Sequence, residues 1–165
     1  MAMTRQTKTQ KSRQRGFTLI ELMISLAVLG VIVGIAMPSM RAIILNQRVR
    51  SVAFDLASSM LYARSEAGKR DTTVNVAQAA AGWQDGWVTS VDGGGPVVAQ
   101  RDGFADISVT ANYATIGYLP NGRVAAAAGA PSPLFTVSTT DTNFLFDITP
   151  RCVGITLSGK VTNQC

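Results

Sequence analysis

The stretch Gly16-Phe17-Thr18-Leu19-Ile20-Glu21 sets a carboxylate at the start of the most apolar run in the chain. An acidic side chain within a membrane-spanning helix costs a few kcal/mol and ordinarily has a partner. Glu21 is therefore the first residue whose presence asks for a chemical reason. Elsewhere the inventory of reactive groups is thin. The chain has no histidine, the commonest general base and metal ligand. Its two cysteines, Cys152 and Cys165, cannot by themselves supply an ordinary four-ligand zinc site. A disulfide is the better use of them, and it places this part of the chain in an oxidising compartment. Asp85, Asp92, Asp102 and Asp106 fall in turn-like segments, where solvation and turn formation account for them. No spacing among these groups marks a catalytic site, so neither an enzyme activity, a metal nor a cofactor is expected.

Charge is distributed unevenly. The net charge is +5, yet Arg5, Lys8, Lys11, Arg13 and Arg15 all lie before Gly16, with no acid among them. The remaining residues carry ten basic and ten acidic side chains. The excess positive charge thus belongs to the N-terminal tail, and a general electrostatic case for nucleic-acid binding loses its force.

These groups must be positioned by a small number of elements. Residues 17 to 37 are interrupted only by Thr18, Glu21, Ser25, Gly30 and Gly34. At about 1.5 Å per residue a helix of that length crosses a hydrocarbon core roughly 30 Å thick. Basic residues precede it in greater number than Arg41, Arg48 and Arg50 follow it, which favours a cytoplasmic N-terminus. No Ala-x-Ala site closes the run, and Gln14 separates Arg13 from Arg15, so neither an ordinary cleaved signal nor a twin-arginine signal fits. Pro38 lacks the amide hydrogen of a continuous helix, and a kink is expected there.

Past the proline the pattern becomes one-sided. Leu45, Val49, Val52, Leu56, Met60, Ala63 and Ala67 recur at spacings of three and four and predict a helix face packed on a core. Arg48, Ser51, Asp55, Ser58, Ser59 and Glu66 mostly take the other sides. Gly68 with Lys69 and Arg70 predicts the helix end. Strands are expected at 72–76, 87–91, 97–100, 107–111, 115–119, 134–137, 143–148 and 152–157, with turns at Asp92-Gly93-Gly94-Gly95-Pro96 and Pro120-Asn121-Gly122. Residues 125–133 read as a surface loop. Trp83 and Trp87 flank Asp85-Gly86, a tight-turn signal, and core packing outweighs ligand stacking as their role. If Ser158-Gly159 is a two-residue turn, Leu157 faces Lys160, Ile155 faces Thr162 and Cys152 faces Cys165. A disulfide there would contribute roughly 3 kcal/mol in the chain-entropy model.

Residues 16–21 resemble the type IV prepilin signal: a short basic leader, a Gly-Phe junction, Glu at the fifth mature position and an apolar helix beyond. The resemblance implies cleavage between Gly16 and Phe17 by a prepilin peptidase, N-methylation of Phe17, and pairing of Glu21 with the N-terminal amine of a neighbouring subunit. Residues 55–67, Trp83-Gln-Asp-Gly-Trp87 and Leu119-Pro-Asn-Gly-Arg123 resemble the GspH/FimT/FimU family of pilin-like proteins, with Leu119 in place of a phenylalanine. The implied fold is α+β, one long N-terminal helix packed on antiparallel sheets. The implied organisation is a leader over 1–16, a transmembrane and filament-core helix over 17–38, an amphipathic half-helix over 39–70 and a β-rich part over 71–165. The implied setting is the bacterial inner membrane, single-pass with a periplasmic ectodomain, then a filament.

A structural minor pilin of a type IV pilus, with major pilin and other minor pilins as partners, is the reading these residues favour. A GspH-type pseudopilin of type II secretion is the alternative, and the cysteine pair tilts against it, since such proteins often have none. DNA capture is the weaker alternative. Some members of the FimT branch carry a C-terminal Gly-Arg-x-Arg, but here Gly159-Lys160-Val161-Thr162 keeps one cation, as does Gly122-Arg123-Val124-Ala125, leaving Lys160 and Arg123 as weak DNA contacts.

Overall fold

A computed structural model of the chain describes residues 16–79, 81–127, 129–144 and 148–163. The chain divides into two compact units after Ser39. One helix, α1 (Leu19–Arg70), contributes to both, and residue 38 lies within it. In the first unit residues 17–37 are all solvent-exposed.

The second unit forms because one face of α1 is apolar at helical spacing and must be covered. Leu45, Val49, Val52, Leu56, Met60, Ala63 and Ala67 are all buried, as their spacing predicts. Two antiparallel four-stranded sheets complete this unit. One has the order β3-β2-β1-β5, from β1 (Val74–Ala79), β2 (Gly82–Val91), β3 (Val97–Asp102) and β5 (Thr115–Tyr118). The other has the order β4-β6-β7-β8, from β4 (Ile107–Ala111), β6 (Leu134–Thr139), β7 (Arg151–Ile155) and β8 (Val161–Thr162). The fold is therefore α+β, a long helix with antiparallel sheets.

Trp83 and Trp87 belong to the core, with 2% and 1% of their surfaces exposed. Each satisfies its indole N–H: Trp83 donates to the Tyr113 carbonyl at 2.8 Å and Trp87 to Ser59 Oγ at 2.9 Å. Ser59 donates in turn to the Asp55 carbonyl, so the helix backbone, a hydroxyl and an indole are linked in series. The Trp83 ring meets Phe135 edge-on at 4.8 Å, an arrangement worth about 1 kcal/mol beyond the area buried.

Three expectations are corrected. Asp85 and Gly86 do not form a hairpin turn; they lie within β2, where Gly86 has φ +101° and faces Asp102 across the β2–β3 pair. A Cβ at Gly86 would collide with the Arg101 backbone, so the glycine serves close strand approach rather than reversal. The helix ends at Arg70, where the Gly68-Lys69-Arg70 stretch places it, and the closing residue is Asp71: it takes the left-handed conformation (φ 50°) and the Thr72 N–H bonds the Ala67 carbonyl, a Schellman closure. The strand expected over 143–148 is absent at its described ends. Asp141 accepts the Asn143 N–H and, through its carbonyl, the Phe144 N–H, winding Thr142–Phe144 into a 3-10 turn. Glu66, placed among the solvated residues by its type, is 5% exposed.

Glu66 is tolerated there because its carboxylate accepts from Arg70 Nε at 2.6 Å and Lys69 Nζ at 3.3 Å, i,i+4 and i,i+3 partners in the last turn. The Arg70 bond holds its carboxyl below the usual carboxylate range against the opposing pull of burial. A lowered native value makes stability present above the ordinary carboxylate range and lost as pH falls through the native value. Removing the charge should therefore flatten the acid limb of the stability profile: Glu66→Gln should narrow the difference in unfolding midpoint between neutral and acidic buffer, read by near-UV circular dichroism of the full chain in detergent. Leu56→Ala should cost about 2 to 5 kcal/mol of stability in the same measurement, because a fully buried side chain leaves a cavity.

Candidate functional site

At the N-terminal end, Thr18 caps α1: its Oγ1 accepts the Glu21 backbone N–H at 3.2 Å, and its carbonyl accepts from Leu22. Thr18-x-x-Glu21 is a capping-box pattern, placing Glu21 in the first turn where the helix macrodipole favours an anion. The sequence reading missed this role of Thr18, although the spacing carries it. Ser25 Oγ donates to the Glu21 carbonyl at 2.7 Å, satisfying its own hydroxyl within the helix. Around this cap the first unit buries nothing: Glu21 is the sole charged residue of 17–37, amid large apolar side chains such as Phe17, at 81% exposure. Gly30 and Gly34 share a helix face, and no atom lies within 4 Å of where either Cβ would stand, so their backbone is open to close approach by another helix. The best-fitting use of such a segment is in lipid or against other helices; it is long and apolar enough to cross a membrane. Gly16 is described next to Phe17, while the rest of the leader expected over 1–16 lies outside the described residues.

In the second unit the two Gly-cation sequences come together. The Gly122 N–H donates to the Leu119 carbonyl at 2.8 Å, and the Gly159 N–H donates to the Thr156 carbonyl at 2.8 Å. Both glycines are left-handed, at φ +75° and +80°. The turns are joined by the Val124 N–H, which donates to the Leu157 carbonyl at 3.1 Å. A Cβ at Gly159 would overlap the Gly122 carbonyl oxygen, so this approach requires glycine. Arg123 and Lys160 follow these glycines and are exposed. Arg64, from α1, reaches both turns: a Cβ on Gly122 or Gly159 would stand 2.9 or 3.2 Å from its Nε. Among the described residues no carboxylate pairs with Arg64, Arg123 or Lys160, whereas Arg41, Arg48 and Arg101 each have one. Arg64 was not singled out by sequence, because it sits beside the apolar stripe with no motif of its own. Beneath it, burial pushes the Tyr118 hydroxyl up to about 12, with the Arg64 charge opposing.

The Thr156–Gly159 turn also corrects the C-terminal register. Leu157 joins Ser158 and Gly159 in the loop, so Ile155 faces Val161 and Gly154 faces Thr162, one step from the pairing a Ser158-Gly159 turn would give. Thr156 and Lys160 close the loop through the Thr156 N–H to the Lys160 carbonyl and the Lys160 N–H to Thr156 Oγ1. Cys152 is buried in β7, and Cys165 lies outside the described residues. The tryptophans, being buried, present no stacking surface to a ligand. Among the described residues no group of three or more His, Cys, Asp or Glu side chains is placed to hold a metal.

Residues 11–37 match the family described as the prokaryotic N-terminal methylation motif, and residues 52–159 match that described as type II transport protein GspH. Two crystal forms of the type IV minor pilin FimU from Pseudomonas aeruginosa share the fold. One superposes with a TM-score of 0.57 at 20% identity, covering 72% of this chain and 90% of that chain. The other gives 0.55 at 21% identity, covering 70% and 92%. No curated protein matches by sequence. With the GspH match running over more than half its length behind an N-terminal methylation motif, the chain belongs to the GspH family of type IV pilin-like proteins.

Proposed function

We propose that the chain is a structural filament subunit, a minor pilin of a type IV pilus, cut between Gly16 and Phe17 and held in the inner membrane before assembly. One observation carries this reading: residues 17–37 are apolar, capped and wholly exposed, and contain a single carboxylate. A segment of that kind needs a cover from outside the chain, first lipid and then other subunits. Its N-terminus faces the cytoplasm and residues 71–165 lie in the periplasm before assembly. Cleavage would leave a new amino terminus one residue before the Thr18 cap. Glu21 of one subunit then meets the methylated Phe17 amine of the next, a charge pair whose removal on one side leaves the other buried and unpaired. A Cys152–Cys165 disulfide ties down the C-terminal end. The same parts serve a secretion pseudopilin, and the neighbouring genes discriminate: other minor pilins in one case, a secretion ATPase and outer-membrane components in the other.

The joined turns favour one second reading, weak DNA contact by Arg64, Arg123 and Lys160. Arg64 reaches the two turns whose glycines precede the exposed Arg123 and Lys160, adding a third cation to the two that the glycine turns offer, and among the described residues none of the three has a carboxylate partner. With so few phosphate contacts the salt dependence is shallow.

Two outcomes follow. Glu21→Ala keeps the Thr18 cap, because the donor is the backbone N–H; it should insert into the membrane normally yet be absent from filaments, and normal co-assembly in sheared filament preparations counts against the proposal. Reversing Arg64, Arg123 and Lys160 to Glu should abolish retardation of DNA by the full chain at low salt; no retardation by the parent chain at high protein concentration ends the second reading.

A further inference from the structure

The second half of α1 carries two seams, and only one is covered. Besides the buried stripe, Ile43, Gln47, Arg50, Phe54, Ala57 and Leu61 recur at alternating spacings of four and three. Phe54 is 72% exposed and Leu61 51%, two large apolar side chains on this seam left open to solvent. They border a groove of about 660 Å³ between this flank of the helix and strands β7 and β8. Arg50 and Arg151 line that groove and also the smaller one adjoining it, so the two form one continuous surface. Among the described residues neither arginine has a carboxylate partner, although the opposite flank of the same helix is fully paired, Arg48 with Asp106 and Asp55 with Arg101.

We infer that this groove is the docking surface for an α-helix of a different filament subunit that carries a carboxylate one turn from an apolar side chain. The inference rests on the filament reading. Alternating four-three spacing is how one helix presents side chains to another, whereas an added strand would read a period of two. The volume accommodates the side chains of a helix laid along the flank. Covering Phe54 and Leu61 also desolvates Arg50 and Arg151, so the partner brings the opposing charge. A second copy presenting the same seam fails this requirement: the seam carries Arg50 and no acid, and like-with-like packing sets guanidinium against guanidinium.

The test places the photo-crosslinking residue benzoylphenylalanine at position 54 of the full chain in the bacterium that makes it, where an exposed ring tolerates the change. The expected product is an adduct with a different pilin subunit, mapped by mass spectrometry to a helical segment with Asp or Glu within one turn of the site. Arg50→Glu with Arg151→Glu should lower its yield at least about tenfold, as loss of one side of a desolvated charge pair does. Arg50→Lys with Arg151→Lys should retain most of it, and changing the mapped acid to Lys should restore the yield of the Glu pair. An adduct within the same chain, with lipid or with a second copy, one indifferent to the charge reversals, or no adduct, overturns the proposal. The filament reading is scored separately by Glu21→Ala: if that variant still assembles, the filament reading fails whatever position 54 contacts, and if it does not, a failed crosslink falls on the groove alone.

Discussion

Leu45 through Ala67 can be helical in water only because the sheets take their apolar face out of it. Seven side chains at three- and four-residue spacing meet a layer containing Trp83, Trp87, Phe135, Val137 and Ile155, and the two indoles are fixed by hydrogen bonds as well as by packing. Everything functional in the second unit depends on that burial. It holds Arg64 at the edge of the stripe, under the paired glycine turns, and it turns the Arg50–Phe54–Leu61 flank outward. The first unit has no such cover, and that contrast along one continuous helix is the physical basis for reading the chain as a filament subunit.

Charge follows the same logic. Where the chain can pair its own arginines it does, at Arg41–Asp141, Arg48–Asp106 and Asp55–Arg101, each contributing at most about 1 kcal/mol at these exposures. Glu66 is the buried exception, with two cations from its own helix turn. The arginines left over are not scattered: Arg64 joins the turn pair, and Arg50 and Arg151 share a groove. These cations, which have no carboxylate partner among the described residues, are the ones to which the proposed contacts are assigned.

Much of this was legible in the sequence, for identifiable reasons. The stripe from Leu45 to Ala67 was readable because a 3.6-residue period sustained over many turns has few alternatives. The N-terminal motif was legible through its resemblance to the prepilin signal, and residues 11–37 match the N-terminal methylation motif. The C-terminal register was not, since it turns on Gly159 closing the Thr156–Gly159 turn in a left-handed conformation with Leu157 in the loop, a choice that moves every rung by one residue. The Asp85-Gly86 strand was misread for the opposite reason: a turn-forming pair was retained for close approach to β3. Glu66 and Arg64 escaped because burial and convergence are set by tertiary contacts that a residue's type does not announce.

The central claim is that residues 17–37 find their cover in other subunits after the leader is removed. The measurement that addresses it most directly is the intact mass of the chain recovered from sheared, purified filaments. The account predicts a species that begins at Phe17 and carries one added methyl group. A chain confined to the membrane fraction with residues 1–16 still attached, or one cut beyond the apolar run and released, would contradict it.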